Sequence, residues 1–182
     1  VCSSDLFPVS ARVGGVAVLV ALLLGIPLGC IAAMHRGKFL DNLISVISTC
    51  GIAVPSFVIC TVLMYFLGVH LKILPTYGLT SWKHYVMPVM ALSFYPMAYI
   101  MRLMRSSMLD VLGQDYMRTC KAKGVSQAVS IFKHALRNAI LPVITYVGPM
   151  LAYTLTGSFV VEKIFTIPGL GGEFIGSISS RD

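Results

Sequence analysis

The side chains able to do chemistry are few, and their spacing limits what they can do. The 182 residues hold 14 Lys and Arg, 7 Asp and Glu, 4 His and 5 Cys. His35, His70, His84 and His134 are scattered along the chain, so they predict no metal cluster. Cys2, Cys30, Cys50, Cys60 and Cys120 fit no zinc spacing, and three lie in apolar runs, where they read as small buried hydrophobes. Gly169-Leu170-Gly171-Gly172 is glycine-rich, but it lacks the Lys-Ser/Thr that completes a phosphate-binding loop and reads as a turn. Two sets of residues remain. One is the basic segment from Ser106 to Leu141. The other is a group of uncharged hydroxyls: Ser93, Tyr95 and Tyr99, with Thr145, Tyr146, Tyr153, Thr154 and Thr156. Such groups can bond a passing polar solute or bond one another between helices.

The elements that must position these residues are apolar. Of the chain, 57% is hydrophobic and 12% charged, against about 25% charged in an ordinary soluble domain. Mean hydropathy is +0.85. Disorder is ruled out, and a soluble enzyme or nucleic-acid module is disfavoured; the pattern is that of a polytopic membrane protein. The net charge of +7 would suggest nucleic acid in a soluble chain, but here half the basic residues fall between Arg102 and Arg137, and no nucleic-acid partner is expected. Four stretches lack Asp, Glu, Lys, Arg and His: 13–34, 43–69, 85–101 and 138–161. About 20 helical residues cross a bilayer core. The third stretch reaches that length as 85–104 if Arg102 and Arg105 snorkel into the headgroups. The expected fold is an all-α transmembrane helix bundle. Pro27, Pro55, Pro88, Pro96, Pro142 and Pro149 fall within the spans, where neighbouring helices can satisfy the freed carbonyls. Ala21, Gly25, Gly29 and Ala33 form a ridge of small residues, as do Gly148, Ala152 and Thr156; such ridges let backbones approach closely.

Orientation can be read from Lys and Arg in short loops. The 35–42 loop and the long loop with its flanking arginines carry nine of the 14, and the opposite side carries Arg12, Lys72, Lys83, Lys163 and Arg181. The long loop is therefore expected in the cytoplasm, with 162–182 outside. Within loop 106–137, Met108, Leu112, Tyr116 and Cys120 recur every four residues, predicting one face of a first helix. Gly124 suits a left-handed stop, and Ser126 can cap a second helix. That helix places Val125, Val129, Phe132 and Leu136 on one face. Periodicity alone also allows a helix pair lying in the membrane interface against anionic lipid. At the N-terminus, Val1-Cys2-Ser3-Ser4-Asp5 is polar and unlike the apolar chain beyond it, and codons that would encode it match the end of a sequencing adapter. Residues 1–6 are expected to be non-native, and residues 7–182 part of a longer transmembrane domain.

The segment Arg118-Thr119-Cys120-Lys121-Ala122-Lys123-Gly124, joined through nine residues to His134-Ala135-Leu136-Arg137-Asn138, resembles the cytoplasmic coupling motif of ABC importer permeases. The general motif is E-A-A-x3-G-x9-I-x-L-P. Gly124 and Leu136 keep its spacing, while Arg118, Thr119, Cys120, His134 and Arg137 depart from it. Those departures are similar to the B-type membrane subunit of dipeptide, oligopeptide and nickel importers, which usually reads G-Q-D-Y-I-R-T-A-R-A-K-G and then R/K-H-A-L-R-N-A-x-L-P-V. Gly113–Thr119 and Lys133–Val143 match it. So do Gly25–Gly29, Val54–Phe57, Arg102–Leu109 and Val161–Phe165 with Pro168–Gly171. The resemblance implies a non-catalytic permease subunit in the bacterial cytoplasmic membrane. Its implied partners are a second, C-type permease, two cytoplasmic ATPase subunits that bind the ATP and Mg, and an external solute-binding protein. Loop residues Arg118, Thr119, Cys120, Ala122, Gly124, Val125, Val129, Phe132, His134, Leu136 and Arg137 would meet the ATPase. Ser93, Tyr95, Tyr99, Thr145, Tyr146 and Tyr153 would line the passage, where hydroxyls without fixed charge suit transient contact with a peptide backbone. The family also carries nickel and other solutes.

Three other classes compete. Ion-coupled carriers and channels usually carry ionisable residues within their spans, and these spans have none. An intramembrane protease or haem protein would need His or Asp at membrane depth. A basic interfacial module would not need four spans with small-residue ridges.

Overall fold

The computed structural model describes residues 3–76, 81–156, 159–167 and 169, with side chains from residue 8 onward except those of 155 and 156. The apolar runs fold as α1 (Ser3–Met34), α2 (Phe39–Ala53), α3 (Ser56–Leu63) with a π-helical continuation (Met64–His70), and α4 (Lys83–Leu112). The basic loop comes next as α5 (Asp115–Ala122), α6 (Gln127–Val129), a second π-helical stretch (Ser130–Ala135) and α7 (Leu136–Ala139). The chain returns in α8 (Leu141–Thr156) and α9 (Phe159–Ile164). No strand occurs among the described residues.

Helices α1 and α4 form the spine and run parallel. Val13 and Ala17 pack with Val89 near their first turns, and Gly29 meets Met101 and Met104 near their ends. The ridge on α1 makes this possible. A Cβ at Gly29 would lie 2.7 Å from the Met101 carbonyl oxygen and from Met104 Cβ, and one at Gly25 would lie 2.8 Å from the Ile100 side chain. Methionines fill much of the resulting core: Met87, Met101, Met104, Met108, Met117 and Met150 are all buried. Their flexible thioethers suit the irregular gaps between helices. The second ridge behaves differently. Among the described residues nothing lies within 4 Å of a would-be Cβ at Gly148, and Ala152 is exposed, so these two positions lie on the outside of the bundle rather than in a seam.

Two parallel helices require the chain between them to recross. Helix α2 runs antiparallel to α4, with Asp41 beside Arg105 and Gly51 against Ala98. Cys60 of α3 then joins Met87, Ala91 and Phe165 at the opposite end. The expected span over 43–69, which Pro55 interrupts, is broken there: α2 and the segment from Ser56 to His70 bend by 104° at their junction. Pro55 excludes Val54 from the helical region, and Val54 is extended (φ −82°, ψ 123°). Pro27, Pro88, Pro96 and Pro149 instead lie inside continuous helices. By length and composition, α1 and α4 can each cross a membrane, and the α2–α3 pair and the α6–α8 pair, bent by 45°, bring the total among the described residues to as many as four. Cys30, Cys50, Cys60 and Cys120 are free thiols. Cys60 is buried as expected, whereas Cys50 is exposed on α2. Of the 162–182 segment, residues 168 and 170–182, and with them most of the Gly169–Gly172 turn, lie outside the described residues.

Candidate coupling loop and translocation face

The basic loop is a helix–glycine–helix unit at the end of the bundle that also holds the 35–38 turn. The first helix is not the uninterrupted one that the four-residue spacing predicts. Helix α4 ends at Leu112, Gly113 and Gln114 intervene, and α5 restarts at Asp115. Met108 and Leu112 thus belong to α4, and on α5 the buried residue is Met117 rather than Tyr116 or Cys120. Gly124 has φ +73°, the left-handed conformation that lets glycine end a helix at little steric cost. The Val125 N–H donates to the Cys120 carbonyl at 3.1 Å, closing that turn. Ser126 stands at the N-cap of α6, but its side chain makes no capping bond.

Beyond the turn, the two faces separate cleanly. Ser130, Ile131, Ala135 and Ala139 are buried against the spine, while Val129 and Phe132 are 43% and 69% exposed. Val125, His134 and Leu136 are half-buried, Leu136 beside the core, and Arg118, Thr119, Ala122 and Arg137 are exposed. Asn138 Nδ2 donates to Tyr116 Oη at 2.9 Å, tying α7 to α5 across the turn. The unit therefore hangs as one body from α4 and α8, with an apolar inner face and two large apolar side chains pointing away.

One ion pair fixes the stem of this unit. Arg105 of α4 meets Asp41 in a bidentate contact, Nε to Oδ1 at 2.5 Å and Nη2 to Oδ2 at 2.8 Å. The Gly37 N–H also donates to Asp41 Oδ2 at 2.9 Å. Asp41 is buried. Sequence reasoning missed this pair. Asp41 is the lone acid between Asp5 and Asp110, which was the available signal, but its choice of Arg105 over Arg102 depends on the rotation of α4. A second arrangement missed in the sequence lies at the other end: Ser10 Oγ donates to the buried Glu162 Oε1 at 2.7 Å, and a side chain at Gly169 would collide with the Glu162 carboxylate.

Four of the six expected passage residues come together. Tyr99 and Tyr146 stack with ring centroids 4.4 Å apart, and Tyr95 and Tyr153 stand 6.0 Å apart. They form a phenolic face on α4 and α8, on which Tyr153 is 61% exposed. Ser93 does not join it: the residue is buried and its hydroxyl donates to the Met90 carbonyl. The Thr145 hydroxyl likewise donates to its own helix, at Leu141, as does Thr154 to Met150.

The chain as a whole has known counterparts. Residues 25–182 match the family model of the binding-protein-dependent transport system inner membrane component. The chain belongs to that family. It is 51% identical over 97% of its length to the dipeptide transport system permease protein DppB of Bacillus subtilis, and 42% identical over 96% to DppB of Lactococcus lactis subsp. cremoris. It is 43% identical over 89% to the glutathione transport system permease protein GsiC of Escherichia coli K12. The chain spans 57%, 58% and 53% of the lengths of those three relatives. A crystal structure of an amino acid ABC transporter shares the fold, with a TM-score of 0.70 over 98% of this chain and 81% of the other, at 17% identity. Permease membership fits the all-α membrane architecture and places the chain among inner-membrane transport components.

Proposed function

We propose that this chain is part of the permease subunit of an ATP-driven importer and forms half of a passage for di- or oligopeptides across the cytoplasmic membrane. The observation that carries the reading is the loop's division into a buried inner face and an outward pair, Val129 and Phe132, beyond the Gly124 turn. An amphipathic helix of this kind can seat its outward apolar side chains in a groove of a partner. Here the partner is a cytoplasmic ATPase, which supplies the ATP and Mg; this chain does no catalysis. Two ATPase subunits, a second C-type permease and an external solute-binding protein complete the assembly. When the ATPases close, the loop shifts, α4 moves with it as the stem, and the Arg105–Asp41 pair carries the shift to α2. Rigid-body rocking of this sort would expose the tyrosine face to alternate sides.

The peptide reading is supported by the DppB relatives. The GsiC relative favours a second cargo, the tripeptide glutathione. Nickel or another small solute remains the alternative within the family. The test is Gly124→Asp in the complete transporter. Membrane insertion and ATPase activity persist, while uptake of a radiolabelled dipeptide collapses. Normal uptake by that variant would contradict the docking role. Competition by glutathione, dipeptide and nickel salts then ranks the cargoes.

A further inference from the structure

A cavity of about 390 Å³ lies between the cytoplasmic end of α1 and the loop helices α5 and α6. One part of its lining is polar: Arg118 and Lys121, one turn apart on α5, with Gln127 and Ser130. The rest is apolar, including Met34, Leu112 and Ile131. Ser130 is 3% exposed, and its hydroxyl has no hydrogen-bond partner among the described residues. Buried hydroxyls are normally paired, so a donor and acceptor stand ready at the wall of a cavity that also carries two cations. Arg118 meets Asp115 at 3.4 Å, their side chains 79% and 95% exposed. A pair so exposed contributes little, and it leaves the charge of Lys121 available to a ligand. The apolar run of α1 stops at Met34, just before His35 and Arg36, so the cavity sits at headgroup depth.

We propose that this cavity holds the phosphate headgroup of an anionic phospholipid from the cytoplasmic leaflet. The phosphate is bonded by Lys121, Arg118 and the Ser130 hydroxyl, and the first carbons of an acyl chain lie along Met34 and Leu112. Basic pockets between membrane helices on the cytoplasmic side are suited to such headgroups, and charge-assisted bonds to phosphate are the strong ones. The site shares Arg118 and Val125 with the residues expected at the ATPase contact, while the exposed pair Val129 and Phe132 lies outside the lining. It holds whatever the cargo is.

The experiment uses the complete transporter in nanodiscs of phosphatidylcholine with and without phosphatidylglycerol, and counts retained lipid by native mass spectrometry. The wild type retains phosphatidylglycerol in preference to phosphatidylcholine. Lys121→Gln, at an exposed position, weakens retention about tenfold, Ser130→Leu fills the cavity and abolishes it, and Lys123→Gln changes nothing. Equal retention of the two lipids, or unchanged retention in Lys121→Gln, overturns the proposal. Displacement of the lipid by millimolar inorganic phosphate also overturns it and assigns the site to free phosphate.

Discussion

Gly29 shows how a single hydrogen in place of a side chain sets the distance between two helices. Its neighbours are a backbone carbonyl and the Cβ of Met104, neither of which can swing aside. Gly29→Val should therefore lower stability by about 1–3 kcal/mol, read as a lower midpoint for loss of the monodisperse peak on heating in detergent. Gly15→Ala, inside α1 with nothing within 4 Å, should not lower that midpoint, since Ala is the better helix former. The tyrosines make a second prediction at this scale. Stacked aromatic pairs contribute about 0.5–1.5 kcal/mol beyond burial, so Tyr146→Leu, which removes the partner of Tyr99, should reduce dipeptide uptake several-fold while membrane yield stays near wild type. Tyr146→Phe keeps the stack, and retained uptake there would assign the effect to the ring rather than the hydroxyl.

Helix-scale behaviour turns on the Asp41–Arg105 pair, which joins the start of α2 to the stem of the helix–glycine–helix unit. Removing one partner of a buried pair costs about 3–5 kcal/mol. The lower end applies here, because the Arg105 side chain is still 31% exposed. Asp41→Asn and Arg105→Gln should each lower thermal stability, and the double variant should lose less than the sum of the two. Additive losses would mean the pair does not act as a unit. None of this was readable from spacing. The turn at Gly124 was readable, because a positive φ leaves a glycine in the sequence. The break at Gly113 and Gln114 was not: Met108, Leu112, Tyr116 and Cys120 keep their four-residue interval straight through it, so periodicity registers no interruption. The bend at Pro55 was hidden for a related reason. Five prolines fall in apolar runs where helices persist or begin, and only Pro55 comes after a residue that leaves the helical region.

For the whole molecule, the parallel α1–α4 spine fixes which loops share a side. The apolar runs and the basic-residue count point to the same parity, because the bilayer demands length and the positive-inside rule demands charge. The ridge at Gly148 does not form a seam within the chain, because small residues report close packing without naming the partner. Single cysteines introduced into a background with the 5 native ones replaced provide the check. Positions 38 and 123 should react with a membrane-impermeant maleimide only after the cells are opened, and positions 72 and 83 in intact cells. The reverse pattern would invert the topology and overturn the proposed ATPase contact.

The corner between α2 and α3 carries one more consequence. Gly51, just before it, packs against Ala98, midway along α4, so the corner lies at mid-height of a helix long and apolar enough to cross a membrane. Ala53, Pro55 and Ser56 are uncovered there. A helix that stops leaves its last carbonyls without internal donors, and acyl chains have no donors to offer. That flank is consequently expected to be wet or covered by polypeptide rather than left to acyl chains.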